Sequence, residues 1–482
     1  MFRRHTKWTL LAVIAAAFSV AFSPGARAEL QLNRLFTDHA VLQAGPKAPV
    51  WGTAAPGAAV RVTLDGKKAR CTADDDGHWT ATLGPLQAGG PHTLTVRTEG
   101  GERASVSDIM VGEVWLASGQ SNMVWPVRNT KTGKKAIEKG EDPHLRFFQV
   151  AKAAADRPRR NVRGGPWVRS NPDTVPRFSA AAYYFARTLR KRLDVPVGII
   201  QSAVGGSRVQ AWMRRSAFRG KPALERDLRQ IKELERKLDT LADVKRPRKT
   251  PVVFYNGMIA PLVPYAIRGA IWYQGEANAN PADYERYEEA FSTLIRTWRD
   301  EWGHDFPFLF VQLPEYGRRG KNWIGLREEQ RLTHEHVKNT AMIVTLGLGN
   351  PENIHPRRKQ PVGHRLALAA LAKAYGRADT AWSGPLAKKA TAADGGKVTV
   401  RFARVHGGLE ARGGELTGFE IKDRDGSWTQ AEARISGDTV VVKNPDVERP
   451  QRVRYAWANV PDPCLVNEAG LPASPFSVSV SR

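Results

Sequence analysis

The chain has 482 residues, of which 41% are hydrophobic and 25% are charged, so its composition is that of a globular protein and excludes wholesale disorder. The length favours about two to four domains. The formal net charge is +25, but the Lys and Arg residues are scattered and no nucleic-acid-binding motif is present. These features argue against a nucleic-acid partner and favour a solvated basic surface, or attraction to acidic glycans.

The first segment, residues 1–28, is predicted to be a signal peptide. Arg3, Arg4 and Lys7 form a basic start, an apolar stretch follows from residue 9 to 22, and the small residues Ala26 and Ala28 frame a cleavage point. The apolar stretch is too short to span a membrane, and no later run is suitable. We therefore expect an exported protein, periplasmic or secreted, without membrane insertion.

Residues 29–108 are predicted to form an N-terminal β-sandwich. Short stretches in this region alternate polar and apolar residues with a period of two, and clusters of Gly, Pro and Asp separate them. The predicted strands are 60–66, 79–83 and 92–98.

Residues 109–378 have a different pattern, in which apolar runs alternate with helical periodicity. Such alternation is typical of an α/β domain with a parallel central sheet that helices cover on both faces. The predicted strands are 109–118, 145–151, 196–203, 269–275, 307–313 and 341–348, and the predicted helices are 178–193, 283–302, 323–336 and 361–375. A helical insertion at 214–250 contains an amphipathic helix at 223–243.

Residues 379–482 return to short alternating strands, which predicts a second, C-terminal β-sandwich. The two cysteines, Cys71 and Cys464, fall in different predicted domains, so a disulfide between them is not expected unless those domains touch. Neither cysteine has a second metal ligand at a suitable spacing. We predict no metal and no cofactor.

Polar segments follow four of the predicted parallel strands. Ligands bind beyond the carboxyl ends of strands in an open α/β sheet, so these segments are expected to meet at one edge. They are SGQSNM (118–123), AVGGSR (203–208), YQGEANAN (273–280) and NPENIHP (350–356). Ser121 is the candidate nucleophile, and His355 is the candidate base that removes the hydroxyl proton.

An oxyanion formed during acyl transfer needs preorganised N–H donors. The candidates are the backbone N–H groups of Ser121 and of Gly205 or Gly206, with the Asn278 side-chain amide as a third donor and Gln274 as the alternative to Asn278. Each segment has a plain structural interpretation when taken alone, as a turn, a tight connection or a helix cap. Their convergence favours a site. Substrate contacts are predicted for three further residues, Gln120, Asn122 and Glu276. Glu276 has an alternative interpretation as a structural partner of a nearby backbone group or Arg.

The chain contains three long motifs, VGEVWLASGQSNM, YNGMIAPLVPYAIRGAIWYQGEANA and NIHPRRKQPVGHRLALAALAKAYG. They resemble motifs of the sialate O-acetylesterases of the SGNH hydrolase superfamily, with further similarity near both ends of the chain. The resemblance covers nearly the whole mature chain. It implies an SGNH-type three-layer domain and a serine esterase that removes O-acetyl groups from carbohydrates through an acyl-enzyme, with Ser121 and His355 in the catalytic roles. It does not fix the sugar, which is sialic acid or an acetylated polysaccharide.

One position departs from the family pattern. Members commonly have D-I-H-P, whereas this chain has Asn353 two residues before His355, and Asn350 replaces an earlier acid. Either Glu352 orients the imidazole, or the enzyme uses a Ser–His dyad with Asn353 or a backbone carbonyl as acceptor. A third alternative is a catalytically impaired carbohydrate-binding protein on the same fold.

Overall fold

The structure is a computed structural model that describes residues 29–237 and 247–481. The predicted signal peptide lies outside these residues, as do the last residues of the predicted amphipathic helix. No helix in the described ranges is both long and apolar enough to cross a membrane.

In the described residues, the N-terminal region forms a three-stranded sheet and contributes further strands to an eleven-stranded sheet that continues into the central region. One has the order β1-β3-β6, and in the other β4 pairs with β5 and β7, and β7 pairs with β8. Apolar side chains alternate with exposed ones along β4, where Val60, Val62 and Leu64 are buried. The strands are β1 (Gln31–Leu32), β2 (Val41–Gln43), β3 (Ala48–Thr53), β4 (Ala59–Leu64), β5 (Lys67–Thr72), β6 (His78–Leu83), β7 (Gly89–Thr98) and β8 (Arg103–Gly119).

The central sheet is parallel except at one edge. Its order is β10-β9-β11-β8-β12-β13-β14, and only β10 runs antiparallel to its neighbour. Strands β12, β13 and β14 are buried along their whole length, as expected for a sheet with both faces covered. The remaining strands are β9 (Asp142–Gln149), β10 (Val168–Ser170), β11 (Val197–Ala203), β12 (Gly269–Tyr273), β13 (Phe308–Val311) and β14 (Thr340–Ile343). The predicted mixed α/β fold with a parallel sheet is confirmed.

Strand β8 is shared between the two regions. Its first residues pair antiparallel with β7, and its last residues pair parallel with β11 and β12. Burial alternates up to residue 108 and is continuous from Ile109 onward. The predicted domain boundary at 108/109 thus falls inside one continuous strand, at the point where it changes from a half-buried to a fully buried environment.

Seven α-helices accompany the sheet in the described ranges. Helices α3 and α7 pack against each other, as do α5 and α6. At Gly363 of α7 a Cβ atom would lie 2.6 Å from Tyr184 Cβ of α3, so the close α3–α7 contact requires glycine there. The helices are α1 (Ser121–Val124), α2 (Gly133–Glu138), α3 (Ala180–Leu193), α4 (Glu225–Lys237), α5 (Tyr287–Trp302), α6 (Trp323–His336) and α7 (Lys359–Ala374).

The C-terminal region is a closed barrel, so the predicted second sandwich is wrong. Its strand order is β15-β16-β20-β19-β18-β21-β23, and the parallel pairing of β15 with β23, at Ala390 with Val480, closes it. Alternating strands suit a sandwich and a barrel equally, because the closing pair joins distant parts of the chain. The strands are β15 (Leu386–Ala393), β16 (Lys397–Ala403), β17 (Leu409–Ala411), β18 (Phe419–Lys422), β19 (Trp428–Ser436), β20 (Thr439–Lys443), β21 (Arg452–Tyr455), β22 (Leu465–Asn467) and β23 (Phe476–Ser481).

Candidate active site

The ends of three neighbouring strands bring the predicted segments together. Gly119, the last residue of β8, is in register with Ala203 of β11 on one side and Tyr273 of β12 on the other. The φ angle of Gly119 is +132°, and a Cβ atom there would lie 2.2 Å from Tyr273 O. Only glycine allows this approach, so the turn that carries Ser121 sits directly on the end of β12.

Ser121 begins helix α1 and faces the glycine pair. A Cβ atom on Gly205 would lie 3.5 Å from Ser121 Cβ, so the two backbones come close without a side chain between them. Gly206 has a φ of +73°, a left-handed conformation that glycine adopts freely. Within the described ranges, the N–H groups of Ser121, Gly205 and Gly206 donate to no protein acceptor. They therefore remain available to an oxyanion.

The two side-chain amides predicted as oxyanion donors differ in the number of N–H hydrogens that are not already used in hydrogen bonds. Both are fully buried. Gln274 Nε2 donates to Ser207 O at 3.1 Å and to Asn278 Oδ1 at 2.8 Å, which uses both of its hydrogens. Asn278 Nδ2 donates to Gln210 Oε1 at 3.0 Å and retains one hydrogen. Asn278 is thus the better candidate, and Gln274 holds it in place.

A buried polar network lies beneath the Ser121 turn. Asn122 Nδ2 donates to Glu276 Oε1 at 2.6 Å and to Ile354 O at 3.0 Å, and Lys359 Nζ donates to Asn122 Oδ1 at 2.5 Å. Ile354 is the residue before His355. Asn122 therefore connects the Ser121 turn directly to the loop that carries His355.

The charges in this network are strongly desolvated. Burial raises the pKa of the Glu276 carboxyl, and burial lowers the pKa of Lys359 to about 7 against the opposing attraction of Glu276. Glu276 Oε2 is buried and accepts no hydrogen bond. The side chain of Gln120 is also buried, where its Oε1 accepts a hydrogen bond from Ala277 N at 3.2 Å. Gln120, Asn122 and Glu276 are thus bonded to protein groups, a geometry suited to positioning the site.

Replacing Lys359 with Met should destabilise the protein. The substitution leaves Asn122 Oδ1 without its donor and Glu276 without its buried countercharge, so we expect a loss of about 3 kcal/mol in the free energy of unfolding. Chemical denaturation monitored by tryptophan fluorescence measures it. The double variant Lys359→Met/Glu276→Gln should recover part of the loss. A double variant whose loss equals the sum of the two single losses would contradict the coupling.

His355 is held beside this turn by an aromatic ring. Its imidazole stacks on Trp125, with ring centroids 4.7 Å apart and an interplanar angle of 16°. Its Nε2 is buried and has no hydrogen-bond partner, so this nitrogen is unoccupied by any described protein group. Burial, and secondarily the Lys359 charge, lowers the pKa of His355 below its ordinary value of 6.5. The ring is therefore neutral, and able to act as a base, at neutral pH.

The predicted third members of the site do not meet the imidazole. Glu352 is exposed, and its backbone N–H donates to Asn350 Oδ1 at 2.8 Å. Asn353 Oδ1 accepts from the backbone N–H of His355 at 2.8 Å rather than from the ring. In the described part of the chain, no carboxylate is hydrogen-bonded to the His355 ring.

A carboxylate missed by the sequence analysis anchors the histidine loop instead. Glu315 follows β13 and accepts hydrogen bonds from Gly347 N and from Gly349 N, the latter at 2.8 Å. Gly317 N also donates to Pro351 O at 2.8 Å. Glu315 therefore fixes the start of the loop whose end carries His355. The position of Glu315 after a predicted buried strand was the one signal that pointed to it.

Metal ligands and thiols play no visible part in this geometry. Across residues 29–237 and 247–481, no group of three or more His, Cys, Asp or Glu side chains is arranged to hold a metal ion. Cys71 and Cys464 are both free thiols.

Comparison with known proteins gives consistent matches. Residues 111–372 match the family described as carbohydrate esterase, sialic acid-specific acetylesterase. The sialate O-acetylesterase of Mus musculus is 30% identical, over 92% of this chain and 93% of that protein. The Rattus norvegicus protein of the same name is 28% identical, over 95% and 96%. The crystal structure of a carbohydrate acetylesterase from Xanthomonas citri superposes with a TM-score of 0.84 at 39% identity, covering 93% of this chain and 99% of that one.

Proposed function

Because the chain belongs to the sialic acid-specific acetylesterase family and is a carbohydrate O-acetylesterase, we propose that Ser121 is its nucleophile and His355 its general base. The observation that carries this assignment is the unpartnered, buried Nε2 of His355, held next to the Ser121 turn through Trp125 and Asn122. No hydrogen bond joins Ser121 Oγ to His355 Nε2 among the described residues. Such bonds are often loose without substrate and tighten in the complex.

The reaction follows from these positions. His355 Nε2 accepts the Ser121 hydroxyl proton as Oγ attacks the acetyl carbonyl, and the N–H groups of Ser121, Gly205 or Gly206 and the Asn278 amide stabilise the resulting oxyanion. The imidazolium then gives its proton to the departing sugar oxygen, which leaves an acetyl group on Ser121. Water activated by His355 releases acetate and restores the serine.

We propose that this chemistry runs as a Ser–His dyad. Neither Glu352 nor Asn353 bonds the imidazole, and stacking on Trp125 together with the anchored loop orients the ring instead. The lowered pKa of His355 fits a ring without an adjacent carboxylate, because a carboxylate would raise it.

Two substitutions separate a dyad from a triad. Glu352→Gln should change kcat on an acetylated glycan less than twofold, whereas Asn353→Asp should raise it about threefold or more by supplying a carboxylate that stabilises the imidazolium. Steady-state kinetics on both variants test this. A loss of about a hundredfold in Glu352→Gln would instead identify Glu352 as the acid of a triad.

We propose that the substrate is an acidic sugar, because two basic side chains lie near the candidate site, Arg248 beside Gly206 and Lys321 beside the backbone of Glu276. A Cβ atom on Gly206 would lie 3.6 Å from Arg248 Cδ, and Arg248 has no acidic partner in the described residues. Burial lowers the pKa of Lys321, and neighbouring cationic side chains, including Arg318, lower it further. Repulsion of this kind is relieved by an anion, so a sugar carboxylate is a fitting ligand beside the acetyl group.

Acetate release from matched glycans tests both the activity and this preference. The enzyme should release acetate from O-acetylated sialosides and other acetylated acidic glycans with a higher kcat/KM than from acetylated neutral glycans. Arg248→Gln should raise KM for the acidic substrate about tenfold and leave 4-nitrophenyl acetate hydrolysis unchanged. Arg296→Gln, an exposed control, should alter neither. Equal kcat/KM on acidic and neutral glycans would contradict the preference, and no release from any glycan would contradict the function.

Export and the domain boundaries are also part of the proposal. We propose that cleavage after Ala28 and export to the periplasm or beyond bring the enzyme to its glycan. We also propose an SGNH-type three-layer catalytic domain over residues 109–378, preceded by the N-terminal sheets at 29–108 and followed by the barrel region at 379–482.

A further inference from the structure

A large cavity in the described part of the chain lies away from the candidate active site. It has a volume of about 1060 Å³ and lies between the N-terminal β1-β3-β6 sheet and the α/β region. Its walls come from β3, β6, the segments 156–161 and 214–219, and helix α4. None of Ser121, Gly205, Asn278 and His355 lines it. Its size is at the upper end of that of ligand-binding cavities, which occur preferentially at such junctions.

Arginines dominate the charged lining. The acidic side chains in the lining are Asp156, Glu235 and Glu301. Six arginines line the same cavity: Arg157, Arg159, Arg160, Arg214, Arg215 and Arg219. This excess of positive charge in a concave space attracts anions more strongly than the same charges spread over a convex surface.

Ion pairing neutralises only part of this charge. Arg214 pairs with Glu301, and Arg215 Nη2 lies 2.7 Å from Glu235 Oε2. Three of the arginines have no acidic partner among the described residues: Arg157, Arg159 and Arg219. Guanidinium groups bind carboxylates through two parallel hydrogen bonds, so these three are free to bind an anionic ligand.

The walls of the cavity are also fixed in place. Asn256 Nδ2 donates to Asp156 O at 2.7 Å, and Asn256 O accepts from Arg159 N at 2.9 Å. Asn33 Nδ2 bonds Asn161 Oδ1 at 2.9 Å, which ties the same segment to the N-terminal region. The half-buried ring of Trp51 also lines the cavity. An aromatic ring and unpaired arginines in the lining of one cavity can contact the apolar face of a sugar and its carboxylate.

We propose that this cavity is a second binding site for a carboxylate-bearing oligosaccharide, separate from the esterase site. The unpaired arginines bind the carboxylates and Trp51 contacts a sugar ring. The site holds a segment of an acidic glycan chain and so keeps the enzyme on a polymeric substrate. It goes beyond the proposed esterase function, and binding can be measured without hydrolysis.

Calorimetric titration of the full mature chain with an unacetylated oligogalacturonate tests the proposal, with a cello-oligosaccharide of equal length as the neutral comparison. The double variant Arg157→Gln/Arg219→Gln removes two of the unpaired charges. The control Arg103→Gln/Arg434→Gln removes two exposed charges elsewhere, so both variants have the same net charge. A third variant, Arg248→Gln, reports binding at the esterase site.

The wild-type protein should bind the oligogalacturonate and not the neutral chain. Binding should weaken at least tenfold in Arg157→Gln/Arg219→Gln and less than twofold in the control, while hydrolysis of 4-nitrophenyl acetate stays unchanged in both. Binding lost only in Arg248→Gln would place the ligand at the esterase site and overturn the proposal. Full displacement by inorganic phosphate at equal ionic strength would also overturn it, because a simple anion site needs no sugar. Loss of esterase activity alone leaves these outcomes unaffected.

Discussion

Ser121→Ala should lower kcat for acetate release from an acetylated glycan by about 10⁴ or more, because no other group in the proposed mechanism forms the acetyl-enzyme. The side chain is half-buried at the start of a short helix, and its hydroxyl makes no hydrogen bond to another described residue. The substitution should therefore leave the melting temperature within about two degrees of the wild type.

A matched serine provides the control for this prediction. Ser436 is exposed in the C-terminal barrel, and Ser436→Ala should keep full activity. An alkyl sulfonyl fluoride should inactivate the wild type and the Ser436→Ala variant by modifying Ser121. An active Ser121→Ala protein, or modification at another residue, would contradict the assignment of the nucleophile.

His355→Gln should lower kcat by a similar factor, about 10⁴, because an amide cannot accept the serine proton. The wild-type pH profile provides a second readout of the same role. Burial lowers the pKa of His355 from 6.5, so the neutral ring persists below that pH and is lost only as the pH falls further. The acid limb of kcat/KM should accordingly have a midpoint below 6.5.

A substitution at Lys359 provides a second test of this pH dependence. Because the Lys359 charge also lowers the pKa of His355, Lys359→Met should move the acid limb toward higher pH, provided the variant folds. A midpoint above 6.5 in the wild type, or a His355→Gln variant that retains more than a hundredth of the activity, would show that another group acts as the base.

The sequence predicted the central sheet well because its strands are continuous apolar runs. Strands at 197–203 and 269–273, and the edge at which their loops meet, follow from burial on both faces and from parallel connectivity. The local sequence pattern did not distinguish a sandwich from a barrel in the C-terminal region, where a pairing between Ala390 and Val480 closes a barrel. That contact joins two strands that are far apart in the sequence, which local periodicity cannot relate.

The contacts that support the site could not be predicted from the sequence. Glu315, Lys359 and Trp125 lie on three different elements, and only the folded chain brings them to the loops that carry Ser121 and His355. Sequence spacing suggested a carboxylate close to His355, either Glu352 or the family position now occupied by Asn353. The carboxylate that holds the loop is Glu315, which is distant in sequence and bonds backbone N–H groups rather than the imidazole.

The resemblance to sialate O-acetylesterases is confirmed by the family match and by the relatives, which makes a carbohydrate-binding protein without turnover the less favoured alternative. The structure also argues against that alternative. Free N–H donors, an unpartnered imidazole nitrogen and a close glycine pair at one sheet edge form an arrangement suited to acyl transfer.

The most direct measurement is to trap the acetyl-enzyme. The protein is mixed rapidly with 4-nitrophenyl acetate, quenched in acid during the first turnover and digested for peptide mass spectrometry. The proposed mechanism predicts an acetyl group on Ser121 in the wild type, which accumulates if deacylation is the slower step, and none at any serine in Ser121→Ala. Turnover by the wild type with the acetyl group on a different residue, or with Ser121→Ala forming an acetyl-enzyme at the wild-type rate, would contradict the central claim.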